Sequence, residues 1–291
     1  MEAALAAAIG EALGAAVTRG SHVGGGDVAE SHRVDLDDGR VVFAKTHRRA
    51  PPGFFTTEAA GLEWLRAADA VAIPQVLAVS DGDAQRGVPN HLVLEWIDDG
   101  RSVSGSDETL GRELANLHAA GAGCFGREDR RTTGSRGLPN EPCESWAEFF
   151  ATQRLLPLAR IARDERAMSM AAVDGLELIA VRLSDLGGTP EPPARLHGDL
   201  WAGNRMVDRS GRSWLIDPAA HGGHREFDLA MMRLFGGFGA GCFVAYDEVS
   251  PLADGWQDRV QLHQLAPLVV HAIKFGGGYV AAAESTIARY R

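Results

Sequence analysis

The stretch Arg195-Leu196-His197-Gly198-Asp199-Leu200-Trp201-Ala202-Gly203-Asn204 constrains this chain more than any other, because it sets polar side chains at fixed intervals in a glycine-bearing loop. Asn204 follows Asp199 by five residues, and a second aspartate, Asp217, follows Asn204 by thirteen, closing the strand-like run Ser213-Trp214-Leu215-Ile216. Taken alone, His-Gly-Asp fits any turn. Joined to Asn204 and a strand-terminal Asp217, it becomes a specific pattern.

Protein kinases carry H-R-D-L-x-x-x-N and then an Asp just after a short hairpin. Phosphoryl transfer asks little covalent chemistry of a protein. It needs one carboxylate to orient the attacking hydroxyl and accept its proton, and oxygen ligands to hold Mg²⁺ on the phosphates. Asp199 fits the first role; Asn204 and Asp217 fit the second.

Composition limits the alternatives. A chain of 291 residues is long enough to bury a substantial core. Its net charge of −10 repels nucleic acid phosphates and anionic membrane and leaves small or cationic ligands unopposed. No apolar run approaches the roughly twenty residues of a membrane span. The Ala-rich N-terminus lacks a basic region and is interrupted by Glu11, which reads as a surface helix and not a signal peptide. Cys124, Cys143 and Cys242 stand far apart, without metal-site spacing, as reduced thiols would in a cytoplasmic protein. The chain has two lysines, Lys45 and Lys274, against twenty-seven arginines, so a retained lysine suggests chemistry that arginine cannot do.

From Thr18 to about Ile97 the sequence reads as small strands around one helix. Val41-Val42-Phe43-Ala44-Lys45 and His91-Leu92-Val93-Leu94-Glu95-Trp96-Ile97 are strands. Thr56 to Ala67 is helical, and Glu58 lies on the same stripe as Leu62 and Leu65. An inward carboxylate needs a partner, and Lys45 is the obvious one. Beyond Asp98-Asp99-Gly100 the pattern turns helical: Asp107 to Ala120, a capping box at Ser145-Trp146-Ala147-Glu148 opening a helix to about Arg163, and Ser169 to Leu183. Residues 121–144 form a long loop. The expected division is an N-lobe over 1–97, binding nucleotide phosphates, and a C-lobe over 98–291, carrying the catalytic loop with metal and acceptor binding.

Other positions carry functional and bland readings side by side. Gly24-Gly25-Gly26 precedes the Lys45 strand, where a glycine turn lets backbone N–H groups approach phosphates; a plain hairpin is the alternative. Lys45 with Glu58 reproduces the device that holds an ammonium over the α- and β-phosphates; otherwise it is a solvated strand lysine. Glu95-Trp96-Ile97 sits where a kinase hinge would offer its backbone to adenine. Trp201 stacks on a sugar face or anchors its loop. His221, His224 and Arg225 are candidates for a phosphate or acceptor. Asp228 reads as a buried support of the catalytic loop, with Arg225 or backbone N–H groups as partners, and His197 as an orienting core histidine.

These residues resemble a named family. His197-Gly198-Asp199-Leu200-Trp201-Ala202-Gly203-Asn204, Ile216-Asp217-Pro218-Ala219, Gly223-His224-Arg225-Glu226-Phe227-Asp228-Leu229-Ala230-Met231 and Leu234-Phe235-Gly236-Gly237-Phe238 are similar to the fructosamine kinase (ketosamine 3-kinase) family. So are Trp146-Ala147-Glu148-Phe149-Phe150 with Gln153-Arg154-Leu155, and Phe275-Gly276-Gly277-Gly278-Tyr279. The tryptophan in H-G-D-L-W-x-G-N separates this family from the broader aminoglycoside phosphotransferases. The resemblance implies an α+β, bilobal protein-kinase-like fold, with a small antiparallel-sheet N-lobe bearing one main helix and a larger, mostly helical C-lobe. It implies ATP and Mg²⁺ as cofactors and phosphorylation of the 3-hydroxyl of ribulosamine, erythrulosamine or fructosamine adducts, after which the sugar eliminates and the amine is freed. Asp199 would then be the base, Asn204 and Asp217 metal ligands, Lys45 and Glu58 the phosphate-positioning pair, and Trp201 a substrate-side residue.

Two features depart from the family. Asp27 stands where many eukaryotic relatives have a cysteine, and 134–140 only loosely keeps the acceptor-side loop. The expected acceptor is a small-molecule or protein-bound ketosamine, with no nucleic acid or membrane partner. The rival readings are an aminoglycoside phosphotransferase-like small-molecule kinase and a non-catalytic ATP-binding pseudokinase.

Overall fold

The computed structural model describes residues 1–291 except 25–28, 130–131, 134–136 and 188–189, and the side chains of Thr132 and Thr133. Gly25, Gly26 and Asp27 therefore lie outside the described residues, as does part of the 134–140 loop. The chain forms two compact units, Met1–Val103 with Met206–Pro218, and Ser104–Arg205 with Ala219–Arg291.

The first unit is built on a five-stranded antiparallel sheet. Its strands are β1 (Val17–Val23), β2 (Glu30–Leu36), β3 (Val41–His47), β4 (Val76–Ser80) and β5 (Asn90–Glu95), in the order β1-β2-β3-β5-β4. Side chains alternate across a strand, so β3 divides its residues between two faces. Val42 and Ala44 join Val34, Leu36 and Val93 in a core completed by Leu5 and Ile9 of helix α1 (Ala3–Leu13). Lys45 pairs in register with Leu92 and so shares the opposite face. Helix α2 (Phe54–Arg66) covers that face with Phe55, Leu62 and Leu65, none more than 1% exposed. The hydrophobic stripe that made α2 legible thus brings Glu58 to Lys45. The segment 206–218 joins this unit through the hairpin strand Ser213–Leu215, where the Leu215 N–H donates to the Ala72 carbonyl at 2.9 Å.

The second unit is mostly helical: α3 (Ser106–Ala119), α4 (Trp146–Phe149), α5 (Leu156–Asp164), α6 (Met170–Leu186), α7 (Glu226–Phe235), α8 (Ala240–Val249), α9 (Trp256–His263), α10 (Leu265–Phe275) and α11 (Gly278–Tyr290). The predicted helix from Ser145 is interrupted. Between α4 and α5 the chain makes a π-helical segment, Phe150–Leu155. Pro157 has no N–H for the carbonyl of Gln153, and the Arg154 guanidinium donates to that carbonyl at 2.9 Å. Arg154 is buried and also donates to Pro139 O at 2.7 Å and Asn140 Oδ1 at 3.0 Å, fastening the end of the 121–144 loop to the helix. Burial pulls its pKa down to about 9. Trp146 lies at the centre of an aromatic core, stacked on Phe149 and Phe150 and edge-on to Phe227.

Candidate active site

In the first unit Lys45 is 8% exposed, and its ammonium donates to Glu58 Oε1 at 2.8 Å and to Asp217 Oδ1 in direct ion-pair contact. Burial alone would lower the lysine pKa; Glu58 and Asp217 outweigh it and hold the ammonium above its ordinary value. Burial pushes Glu58 up, Lys45 pulls it back, and the Asp217 charge adds to the rise. One cation therefore serves two carboxylates, and of the two Asp217 is the more open, at 38% side-chain exposure against 15% for Glu58. Asp217 takes a left-handed backbone with φ of 55°, a strained conformation for a residue with a side chain.

At the candidate hinge, the Glu95 N–H is already used, donating to the Gln75 carbonyl at 3.0 Å. Glu95 Oε1 is buried without a hydrogen-bond partner. The Trp96 indole donates to Asp98 at 3.1 Å and lies under the Arg33 guanidinium, while Ile97 is 8% exposed. Gly24 is described, and a side chain there would meet open space; the rest of the glycine run is outside the described residues.

In the second unit the loop bearing Asp199 is anchored through its backbone. The fully buried Asp228 accepts from the N–H groups of His197 at 2.7 Å and Gly198 at 2.9 Å. It also faces His118 Nε2 at 3.2 Å, and His118 Nδ1 lies 2.8 Å from the Tyr246 hydroxyl. Burial would raise the Asp228 pKa, but His118, His197 and the backbone donors bring it below the usual carboxylate range. His197 Nδ1 accepts from the Asp199 N–H at 3.3 Å, which fits an orienting core histidine. Gly198 has φ of 80°, and a side chain would run into the Ala219 carbonyl, so glycine is required. Asn204 then closes the turn, its Nδ2 donating to Asp199 O at 2.8 Å and Oδ2 at 3.2 Å.

Asn204 in the second unit carries an amide oxygen and Asp217 in the first a carboxylate, each by itself an oxygen donor of the type Mg²⁺ prefers.

Three candidates turn inward. His221 is 1% exposed, stacked on Phe149, with Nδ1 donating to Ala219 O at 2.8 Å. Burial lowers its pKa to about 3. His224 is 3% exposed, stacked on His263, and burial lowers it to about 4. Arg225 forks onto Glu191 at 2.7 and 2.9 Å and donates to Ser250 and Pro251, a clamp within the fold. Donor atoms of His224, Glu226 and His263 lie within 4.8 Å of one another, but the Arg259 guanidinium takes both Glu226 oxygens, as expected of an ion-pair network.

Sequence reasoning missed His118, a lone histidine on an amphipathic helix, and the aromatic neighbours of Trp201. The Trp201 ring covers Gly203 and meets Phe235 edge-on at 5.9 Å, with the indole 39% exposed. The signal available was a repeat: Phe-Gly-Gly ends both α7 and α10.

The chain is similar to known proteins over its whole length. The family model described as fructosamine kinase matches residues 1–291. The protein-ribulosamine 3-kinase of Arabidopsis thaliana is 33% identical, over 94% of this chain and 83% of that protein. A crystal structure from Thermobifida fusca, assigned as a fructosamine-3-kinase, superposes with a TM-score of 0.89 at 39% identity, covering 98% and 97% of the two chains. An aminoglycoside phosphotransferase shares the fold at a TM-score of 0.64 and 15% identity, covering 98% of this chain and 97% of that one. Among the described residues no helix is long and apolar enough to cross a membrane. By a match spanning its full length, with relatives of like size and a kinase-like α+β fold, this chain belongs to the fructosamine kinase family.

Proposed function

We propose that the protein is an ATP-dependent kinase that phosphorylates the 3-hydroxyl of ketosamines. The observation that carries the reading is the burial of Lys45 between Glu58 and Asp217, since an ammonium fixed by a helix carboxylate is how kinases hold nucleotide phosphates. Family membership supplies the acceptor class. Lys45 binds the α- and β-phosphates, with Glu58 holding it in place. Gly24, Gly25 and Gly26 supply backbone donors to the phosphates, and the chain at Glu95, Trp96 and Ile97 borders the adenine.

Asn204 and Asp217 would hold Mg²⁺, which would neutralise charge on the phosphates. Asp199 orients the acceptor hydroxyl and takes its proton as the oxygen attacks the γ-phosphorus, the bond to the bridging oxygen breaks, and ADP leaves. The anchoring of His197 and Gly198 by Asp228 keeps Asp199 in place for this step. The 3-phosphate is then a good leaving group; its elimination from the sugar releases the amine. Trp201 lies on the acceptor side. His221, His224 and Arg225 support this arrangement from inside the fold and are not assigned a ligand.

Incubating ribulosylated lysine peptides with the protein and MgATP tests the reading by mass spectrometry. Gain of one phosphoryl mass followed by return of the bare amine is expected. An adduct that persists unmodified, with ATP unconsumed, overturns it.

A further inference from the structure

Trp201 opens a larger surface. Its ring meets Phe235 at 5.9 Å, Phe235 meets His271 at 5.1 Å and Tyr279 at 6.5 Å, His271 meets Tyr279 at 5.1 Å, and Phe275 meets His271 and Tyr279 at 5.6 and 6.0 Å. Folding hides aromatic rings when it can, since each has a large apolar area to bury. Here Trp201, Phe235 and Phe275 remain 39%, 37% and 51% exposed. Among the described residues they are the aromatic members of the exposed large hydrophobics, and all three fall in this one cluster.

The backbone builds the surface twice with the same device. Helices α7 and α10 each end on a phenylalanine followed by two glycines of positive φ, Gly236-Gly237 and Gly276-Gly277. Gly236 at φ 69°, ψ −159° and Gly276 at φ 66°, ψ −147° take an extended positive-φ backbone that is essentially reserved for glycine, which stops each helix at its phenylalanine. Gly237 packs so closely on Ala202 that a side chain would strike its Cβ, which ties the surface to the Asp199 loop. The tie is short-range, since the Trp201 N–H donates to the Asp199 carbonyl at 3.1 Å and the Asn204 N–H to the Trp201 carbonyl at 2.9 Å.

We propose that Trp201, Phe235, His271 and Tyr279 form an aromatic shelf that binds the amine-bearing side of the ketosamine acceptor and sets selectivity for that amine. This rests on the ketosamine reading above. The linking nitrogen of a ketosamine is a secondary amine, protonated in neutral water. Such a cation is attracted to the face of an electron-rich ring, tryptophan most of all. A chain of net charge −10 favours its approach. The Phe275 ring already has the Lys274 ammonium at 4.7 Å, which leaves the Trp201 and Phe235 end as the seat for the ligand cation. The alkyl chain beyond the nitrogen then lies along the remaining rings. His271 Nδ1 donates to Pro267 O at 2.8 Å, which fixes the orientation of the ring on its helix. Because the shelf is open, free and protein-bound amines share the chemistry it recognises.

The test compares wild type with Phe235→Leu and Tyr279→Leu, which keep apolar bulk but remove the rings. Acceptors are ribulosyl-methylamine, ribulosyl-Nα-acetyl-lysine and ribulosylated serum albumin. The KM for the acetyl-lysine adduct should rise roughly tenfold, as expected for loss of an aromatic and cation–π contact. The KM for the methylamine adduct should rise less, and that for ATP should stay constant. A matching rise with albumin assigns protein-bound amines to the shelf; a rise with the free adduct alone assigns free amines, and either supports it. Wild type that turns over the adducts while both variants keep wild-type KM values overturns the shelf alone. Equal rises for all acceptors, or loss of self-association in place of any KM change, also overturn it. Wild type that turns over no adduct retires the ketosamine reading and the shelf with it.

Discussion

Around Lys45, charged side chains meet one another end to end; around Asp199, a buried carboxylate, Asp228, grips the chain by its backbone N–H groups. In the first region geometry depends on three side chains drawn from β3, α2 and the segment after Ser213–Leu215, with Lys45 and Asp217 separated by 172 residues. In the second, Asp228 holds the loop through backbone N–H groups, the side chains of His197 and Asn204 add bonds to Asp199, and at Gly198 only glycine fits. A site held by paired charges is sensitive to any change of charge. A site held through its backbone keeps its shape when a reactive side chain is replaced, so chemistry and structure can be separated there.

The largest expected effect exploits that separation. Asp199→Asn should lower kcat roughly 10²–10⁴-fold, the usual weight of a general base, while leaving nucleotide affinity and the thermal unfolding midpoint near wild type. Parallel kinetics and calorimetric titration with a non-hydrolysable ATP analogue check this, and loss of nucleotide binding would break the contrast.

Asp228→Ala should do the reverse. It leaves two backbone donors and His118 without their acceptor in a fully buried site, costing roughly 3–5 kcal/mol in urea unfolding, the range for breaking a buried charged network. A variant as stable as wild type would mean that the loop is held by something else.

Lys45→Met sharpens the comparison from the other side. It strands Glu58 beside Asp217, so the KM for ATP should rise, and stability should fall by less than in Asp228→Ala because Asp217 at 38% exposure relaxes into solvent. If the two losses of stability are equal, the two regions do not differ as described.

The smallest effect is on pH dependence. His221 has its pKa lowered to about 3, so between the ordinary value of 6.5 and that limit the unfolded chain binds a proton that the folded chain refuses. Stability should therefore be full above about pH 6.5 and fall as the pH drops, by up to roughly 1.4 kcal/mol per unit for one proton. His221→Asn should flatten the slope between pH 6.5 and 5 in urea midpoints. An unchanged slope would assign the acid sensitivity to other groups.

Much of this was legible beforehand because it is local. The α2 stripe of Leu62 and Leu65 implied an inward Glu58, and an inward carboxylate demands a cation, so the Lys45 ion pair followed from cost alone. The Ser145 cap was readable, since the Ser145 hydroxyl accepts from the Glu148 N–H at 3.1 Å. The π-helical break after it was not, because Pro157 is compatible with the first turn of an ordinary helix and only the guanidinium of Arg154 settles where the freed carbonyl goes.

His221, His224 and Arg225 show the limit most plainly. Their nearness to Asp217 in the sequence suggested a ligand, yet each is consumed by partners far along the chain, Phe149, His263 and Glu191. Loop spacing, helix periodicity and glycine requirements are set by neighbouring residues and by backbone sterics, which the sequence by itself determined. Which face of a side chain ends in solvent was decided only by the tertiary structure, because burial is a sum over contacts from distant segments. The same sum left Trp201, Phe235 and Phe275 uncovered together, which no local rule anticipates.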